Sequence, residues 1–127
     1  MTEHEALLKE WQERLGLQNW HIELNDNCRP ENMAMQEVEG CTTWQETIRC
    51  AVIDMLDPAF YPQDAVSRGF DWEKVLVHEL LHCKMCLVQD VADDLQARYL
   101  HQMLDDLARA LVDAKRSGKD GMETDSH

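Results

Sequence analysis

The chain is short of basic side chains. It has 12 lysines and arginines against 25 aspartates and glutamates, which gives a net charge of −13 at pH 7. A nucleic-acid-binding surface needs clustered basic side chains, and the sequence shows no such cluster. We therefore expect no nucleic-acid partner, whereas an acidic surface favours solubility or basic partners.

Long apolar runs are missing as well. No stretch approaches the roughly 20 apolar residues of a membrane-spanning helix. Residues 1–5 lack the basic and apolar segments of a secretory signal peptide. The five cysteines are odd in number and come without a secretion signal. These features predict a cytoplasmic protein with reduced thiols and no membrane partner.

The length of 127 residues is typical of one domain with a modest core. We expect that domain to cover residues 1–114. Residues 115–127 are polar, contain two glycines and have only Met122 as an apolar anchor. This composition predicts a disordered tail.

The most informative pattern is the H-E-x-x-H sequence formed by His78, Glu79 and His82. Residues four apart lie on one face of a helix, so both imidazoles can bind one Zn²⁺ ion at roughly 2.0–2.1 Å. Glu79 follows the first histidine, where its carboxylate can stand beside the metal and take a proton from a metal-bound water. The pattern therefore predicts a zinc site with Glu79 as general base.

The surroundings of this pattern favour a helix. Asp71 is a plausible N-cap, and the helix is predicted to end near residue 85 or 87. Leu76 and Leu80 would lie on its buried side, with both histidines and Glu79 facing away. Residues 56–69 contain one Asp-Pro pair and one Tyr-Pro pair, so we predict a long connecting loop before this helix.

The first half of the chain predicts one helix and a small sheet. Apolar side chains at helical spacing indicate a helix over residues 3–17. Residues 20–24 alternate between apolar and polar, as in a half-buried strand with His21 on its exposed face. Two β-rich runs follow over residues 35–44 and 47–55.

The connection between these two runs is open. If Gln45 and Glu46 formed a two-residue turn, Cys41 and Cys50 would face each other across a hairpin. Gln-Glu is a poor turn sequence, so this register is a hypothesis only. Packed thiols are the expected role of both cysteines.

A catalytic zinc ion normally has three protein ligands, and the third is not adjacent to the motif. The metzincin continuation is absent because Met85 and Val88 stand where glycine and histidine would be. His101 lies 19 residues after His82, on the face of a predicted helix that avoids a leucine stripe. The stripe comprises Val91, Leu95, Leu100, Leu104, Leu107 and Leu111. The other candidate ligands are Cys86, Asp93, Asp94, Asp105 and Asp106.

With these residues the layout resembles the small zincin-type metallopeptidases of gluzincin character, including short peptidases of bacteria and their phages. The resemblance spans roughly residues 7–112. It depends on four segments: residues 20–24, residues 51–58, residues 76–82 with the H-E-x-x-H motif, and residues 101–112.

The resemblance implies a fold and a ligand set. It implies an α+β zincin-like domain with an N-terminal helix, a small and mostly antiparallel sheet, the H-E-x-x-H helix and a following helix. In gluzincins a glutamate on the next helix is the third ligand, and an acid four residues later orients a ligand histidine. Here His101 stands in the glutamate position and Asp105 in the position of the acid. A three-histidine site would make one bound zinc ion a stronger Lewis acid.

The expected function is zinc-dependent hydrolysis of a peptide or protein substrate. We expect the substrate to lie extended along a sheet edge, at the strand over residues 35–44 or its neighbour. Two alternatives remain open. One is a non-catalytic, zinc-stabilised interaction module, in which Glu79 is dispensable. The other is a zinc hydrolase that acts on a non-peptide amide or ester.

Overall fold

The computed structural model describes residues 1–35, 38–62, 64 and 71–125, with side chains up to residue 118. It confirms an α+β architecture with an N-terminal helix, a small sheet and helices after it. In chain order the elements are α1 (Glu3–Arg14), β1 (His21–Cys28), β2 (Gly40–Gln45), β3 (Cys50–Leu56), α2 (Trp72–Lys84), α3 (Cys86–Val91) and α4 (Asp94–Asp125).

Helix α1 has a defined beginning and end. Thr2 and Glu5 form a reciprocal capping box that satisfies the first free backbone N–H groups. The helix is followed by Gly16, whose positive φ of 71° favours glycine. Trp11 points from α1 into the core and is only 2% exposed. This side chain anchors α1 to the rest of the domain.

The sheet is mixed rather than mostly antiparallel. Its strand order is β1-β3-β2; β2 pairs antiparallel with β3, and β1 pairs parallel with β3. A parallel pair needs a long connection, and the segment from the end of β1 to the start of β3 provides it. Gln45 is opposite Cys50, so residues 46–49 make the turn. Cys41 is therefore opposite Asp54, and the hypothetical two-residue turn is wrong.

Helix α2 lies at the centre of the molecule. Asp71 caps it as expected, since its carboxylate accepts a hydrogen bond of 2.9 Å from the Lys74 backbone N–H. Nearly every residue of the helix is buried, because the sheet packs on one side and α4 on another. Leu76 and Leu80 have no exposed surface. The H-E-x-x-H motif is thus part of the core-forming helix.

Helix α4 runs antiparallel to α2. Three side-chain contacts between them show this direction, because residue numbers rise on one helix as they fall on the other. They are Asp71–Arg116 at 2.8 Å, Lys74–Asp113 at 3.1 Å and His78–Asp105 at 3.6 Å. This alignment brings His101 close to His78 and to the next turn of α2, which carries His82.

The buried face of α4 differs from the expected leucine stripe. Leu100 and Leu104 are buried, but Leu107 is 49% exposed. Ala108 and Val112, at 1% and 0%, complete the buried face instead. The predicted leucine stripe is therefore partly wrong as a buried face. Helix α4 carries apolar side chains on more than one face, so helical spacing alone does not show which face packs on the core.

Helix α4 continues past the expected domain boundary at residue 114. Lys115 and Arg116 contact Glu73 near the start of α2. The division into a domain over 1–114 and a tail over 115–127 otherwise stays a prediction, and residues 126–127 lie outside the described residues. Parts of the expected loop over 56–69 also lie outside them. No helix in the described part of the chain is long and apolar enough to cross a membrane.

Candidate metal centre

Three histidines from two helices converge on one point. The Nε2 atom of His78 lies 3.2 Å from Nε2 of His82 and 3.2 Å from Nε2 of His101. The three ligand atoms all lie within 4.8 Å of one another. His78 and His82 come from successive turns of α2, and α4 supplies His101. The structure therefore brings together the three residues that the sequence suggested as metal ligands.

These distances suit a tetrahedral ion. With metal–nitrogen bonds of roughly 2.0–2.1 Å, two nitrogen ligands of a tetrahedral site are about 3.4 Å apart. Both separations from His78 are close to that value. A tetrahedral ion held by these three nitrogens would leave its fourth position for a small molecule. The described residues thus contain a group that could hold a metal ion, and the donor set suits zinc among other transition metals.

Gln89 fixes the tautomer of one histidine. The ring Nδ1 of His82 lies 2.8 Å from the amide Oε1 of Gln89, on the short helix α3. An amide oxygen only accepts, so Nδ1 carries the proton and donates it. Nε2 of His82 then keeps its lone pair, which is directed into the cluster. Such a partner for the far ring nitrogen is typical of metal-binding histidines.

Asp105 stands beside the other α2 histidine at a longer distance. Its Oδ1 atom is 3.6 Å from Nδ1 of His78, beyond the range of a hydrogen bond. The opposite carboxylate oxygen is 3.3 Å from Nη2 of Arg109. Asp105 therefore lies where the resemblance puts an orienting acid, although its direct hydrogen bond to a histidine is not formed.

Glu79 is held between α2 and the sheet. Its carboxylate Oε1 accepts a hydrogen bond of 2.7 Å from the hydroxyl of Thr42 on β2. A Cβ atom at Gly40 would lie only 3.0 Å from Oε2 of Glu79 and 2.9 Å from a methyl carbon of Val75. The lack of a side chain at Gly40 is therefore what lets β2 approach this carboxylate.

One face of β2 forms a wall of the site. Side chains two apart on a strand point to the same face. Gly40 and Thr42 both meet Glu79, and Trp44 stacks on His82 with 6.1 Å between ring centroids. The strand therefore presents three consecutive inward positions to the H-E-x-x-H motif.

Burial favours the uncharged form of the two motif histidines. Burial, together with the neighbouring rings of His82 and His101, lowers the pKa of His78 to about 3. Burial also lowers the pKa of His82, against the opposing effect of Gln89. Neutral imidazole is the form that binds a metal. For Glu79, burial raises the pKa to about 7, opposed by the Thr42 hydrogen bond.

The site opens to the surface through a cavity of about 110 Å³. Glu79, His78 and His101 line it, and so do Lys74, Asp105 and the start of β2 at Gly40. His101 is exposed, whereas His78 and His82 are buried. A small molecule can therefore approach the cluster from the α4 side and meet the carboxylate of Glu79 in the same cavity.

The other candidate ligands lie elsewhere. Asp93 accepts a hydrogen bond of 2.8 Å from the Gln96 backbone N–H at the start of α4. Cys86 is a buried thiol whose pKa burial raises. Neither of them, nor Asp94 or Asp106, belongs to the ligand group found among the described residues.

Two more histidines take other roles. His4 lies 2.9 Å from Asp26 and stacks on Trp72, with 3.6 Å between ring centroids. His21 is on the exposed face of β1, as the alternating pattern predicted. Among the described residues, the cluster thus comprises the motif histidines and His101.

Sequence reasoning missed Thr42, Gln89 and Trp44. Alternation along β2 would have put Thr42 and Trp44 on one face, but the register and the partner helix were needed to show what that face meets. Gln89 was passed over because an amide seven residues after His82 has no recognised spacing.

Comparison with protein-family models, with curated proteins and with solved structures finds no match to this chain.

Proposed function

We propose that this protein is a zinc-dependent metallopeptidase with its active site at the histidine cluster. The observation that carries the proposal is the convergence of three Nε2 atoms beside a cavity that His78, His101 and Glu79 line. His78, His82 and His101 would hold the ion. When bound there, zinc supplies Lewis-acid polarisation of a carbonyl and lowers the pKa of a water.

Glu79 is the proton carrier in this proposal. Its buried carboxylate would accept a proton from the attacking water and deliver it to the nitrogen of the leaving amine. Thr42 holds Oε1 by a hydrogen bond of 2.7 Å, so the two carboxylate oxygens are not equivalent. The hydrogen bond orients the carboxylate and leaves Oε2 for the reacting proton.

The edge strand β2 is the proposed substrate guide. It forms one edge of the sheet, and its first residue, Gly40, lines the cavity beside His78 and Glu79. An extended peptide that added to this edge would pass its backbone in front of the cluster. Edge pairing uses main-chain groups, which every peptide has, so this surface favours a peptide over a non-peptide amide or ester.

The test measures zinc binding and hydrolysis together. Purified protein is assayed for metal stoichiometry and for cleavage of a broad library of peptides, in the native form and as Glu79→Gln. We expect one zinc ion in both forms and a loss of cleavage of ~10²–10⁴-fold in the variant, the usual contribution of a general base. Glu23→Gln, on the exposed face of β1, is the matched control and should keep full activity.

Three outcomes would count against the proposal. Loss of zinc in Glu79→Gln would make that residue structural. Stoichiometric zinc without cleavage of any peptide would favour the non-catalytic, zinc-stabilised module. Cleavage of a small ester or amide but of no peptide would favour the non-peptide hydrolase.

A further inference from the structure

A group of large apolar side chains on α3 and α4 is exposed to solvent. Of the twelve such side chains found exposed in the described residues, seven lie between residues 87 and 107. They are Leu87, Val88, Val91, Leu95, Tyr99, Met103 and Leu107, each between 49% and 82% exposed. Isolated exposed apolar residues are ordinary, but a contiguous group of them marks an interaction surface.

Four of these side chains form a regular ridge. Leu95, Tyr99, Met103 and Leu107 are spaced by four residues, so they follow one row along α4, and we call them the apolar ridge. The row spans about 18 Å, at ~1.5 Å per residue. Rows at this spacing pack into the grooves of another helix. The shape of the surface therefore fits a helical partner.

The apolar ridge is separate from the metal centre. His101 lies two residues from both Tyr99 and Met103, which is about 200° around the helix axis. Leu100 and Leu104 lie between the two faces and are buried against the core. The ridge can therefore be occupied, or altered, without direct contact with the histidine cluster.

The charge around the apolar ridge selects the partner. From residue 87 to residue 107 the chain has five aspartates and one arginine, Arg98. Asp90, Asp93, Asp94 and Asp106 are exposed. The chain as a whole has a net charge of −13, so a second copy would bring like charges together. A partner with basic side chains beside its apolar face would instead meet opposite charge.

We propose that the apolar ridge binds a cationic amphipathic helix of another protein. Apolar side chains of that helix, spaced by three and four residues, would pack between Leu95, Tyr99, Met103 and Leu107. Its lysines and arginines would lie over the surrounding aspartates. Tyrosine and methionine at the centre of the ridge are residue types enriched in protein interfaces.

Two synthetic peptides test this proposal with the full-length protein. Each is about 18 residues long, or roughly 27 Å as a helix, with leucines on one face. One peptide has lysines on the other face, and its matched partner has glutamates there. We expect the lysine peptide to bind with one-to-one stoichiometry by calorimetry, and more weakly as salt screens the charges. The glutamate peptide should not bind measurably.

Paired variants show where the peptide binds. The double variant Leu95→Gln/Met103→Gln should weaken binding by at least ~10-fold, since it removes two of the four apolar anchors. Met35→Gln/Ile48→Gln is the control, because both side chains are more than half exposed but lie elsewhere. This control variant should change the affinity for the lysine peptide by less than about twofold, as expected of positions that contribute little to binding. All four substitutions are at exposed positions, and thermal melting of each variant checks the fold.

Three results would overturn the proposal. Equal binding of the lysine peptide to both double variants would show general attraction to an acidic protein. Binding of neither peptide would remove the cationic helix as occupant. A native dimer in sedimentation equilibrium that Leu95→Gln/Met103→Gln dissociates would make a second copy the occupant.

Discussion

The hydroxyl of Thr42 donates a hydrogen bond of 2.7 Å to Oε1 of Glu79, across the contact between β2 and α2. The two residues are 37 positions apart in the chain. Through this bond the sheet fixes the orientation of the carboxylate in the H-E-x-x-H motif. Thr42 would thus act as a positioning residue in the proposed reaction, since it acts through its contact with the base.

Replacing Thr42 by valine should lower kcat by ~10–100-fold, because a hydrogen bond to a charged group contributes about 1.5–3 kcal/mol. Zinc stoichiometry should not change. Thr42→Ser should restore most of the rate, which a packing role of the methyl group would not allow. The matched control is Thr43→Val, at the neighbouring exposed position of β2. Equal rates for Thr42→Val and the native protein would contradict the positioning role.

His101 should be the third zinc ligand. His101→Ala should lower zinc affinity far more than His21→Ala or His4→Ala, measured by competition with a chelator. His101→Glu should largely restore affinity, because a carboxylate oxygen also binds zinc at roughly 2.0–2.2 Å. If His101→Ala binds zinc as tightly as His21→Ala does, the ion is held by other residues.

Gln89 should support the metal site through His82. Gln89→Leu removes the acceptor of the Nδ1 proton. Loss of such a partner typically costs ~10–100-fold in metal affinity or activity. Asp105→Asn should cost less, since Asp105 is 3.6 Å from His78. Gln18→Leu, an exposed change in the loop after α1, is the control. A larger effect from Asp105→Asn than from Gln89→Leu would reverse these two roles.

Gly40→Ala should destabilise the protein. The new Cβ would lie 2.9 Å from Val75 and 3.0 Å from Glu79, so β2 and α2 must move apart. Overpacking of this kind costs about 1–3 kcal/mol in the free energy of unfolding, measured by urea denaturation. Gly118→Ala is the control, because a Cβ there meets nothing within 4 Å. In a helix that change should stabilise slightly. Equal stability of Gly40→Ala and the native protein would show that the strand has room to shift.

The titration of Glu73 should lower the free energy of unfolding at acid pH. Burial alone would raise its pKa, but hydrogen bonds from Lys115 and Trp11 hold the pKa below its ordinary value of 4.5. A carboxyl whose pKa is lower in the folded state stabilises the protein above pH 4.5 and loses that contribution as the pH falls through the folded pKa. Glu73→Gln should be less stable than the native protein at neutral pH.

The difference in the free energy of unfolding between Glu73→Gln and the native protein should narrow as the pH falls from 4.5 through the lower folded pKa of Glu73, because the carboxyl then becomes protonated in the native chain. Urea denaturation over a series of pH values measures it. The control is Glu23→Gln on the exposed face of β1, which should follow the native curve. A difference that stays constant down to acid pH would show that Glu73 stabilises by packing alone.

Several features that depend on residues close together in the sequence were predicted correctly. Asp71 and the helix after it followed from an N-cap and an apolar spacing, both of which act within a few residues. The closeness of the two motif histidines was predictable because they are one helical turn apart. The sequence indicated His101 by its place on a helix face that avoids the leucine stripe and by the resemblance to gluzincins, and antiparallel packing of α4 on α2 brings it to His78.

Features that depend on distant partners were not predictable from these patterns. The parallel direction of β1 depends on the path of the chain between β1 and β3, and no local signal encodes that path. Thr42 and Gly40 owe their importance to the closeness of Glu79 on another element. On α4, the apolar face toward the core and the apolar ridge toward solvent obey the same helical spacing. Only the packed structure tells Val112 from Leu95.

The order β1-β3-β2 also limits how the sheet can form during synthesis. Strand β3 is the neighbour of both other strands, and it is the last of the three in the chain. Two strands have therefore left the ribosome before either has its partner. No strand pair of the described sheet can be complete until the chain has been made through Leu56. The helix with the H-E-x-x-H motif follows shortly after, so the sheet and the helix that packs on it become available within one short interval of translation.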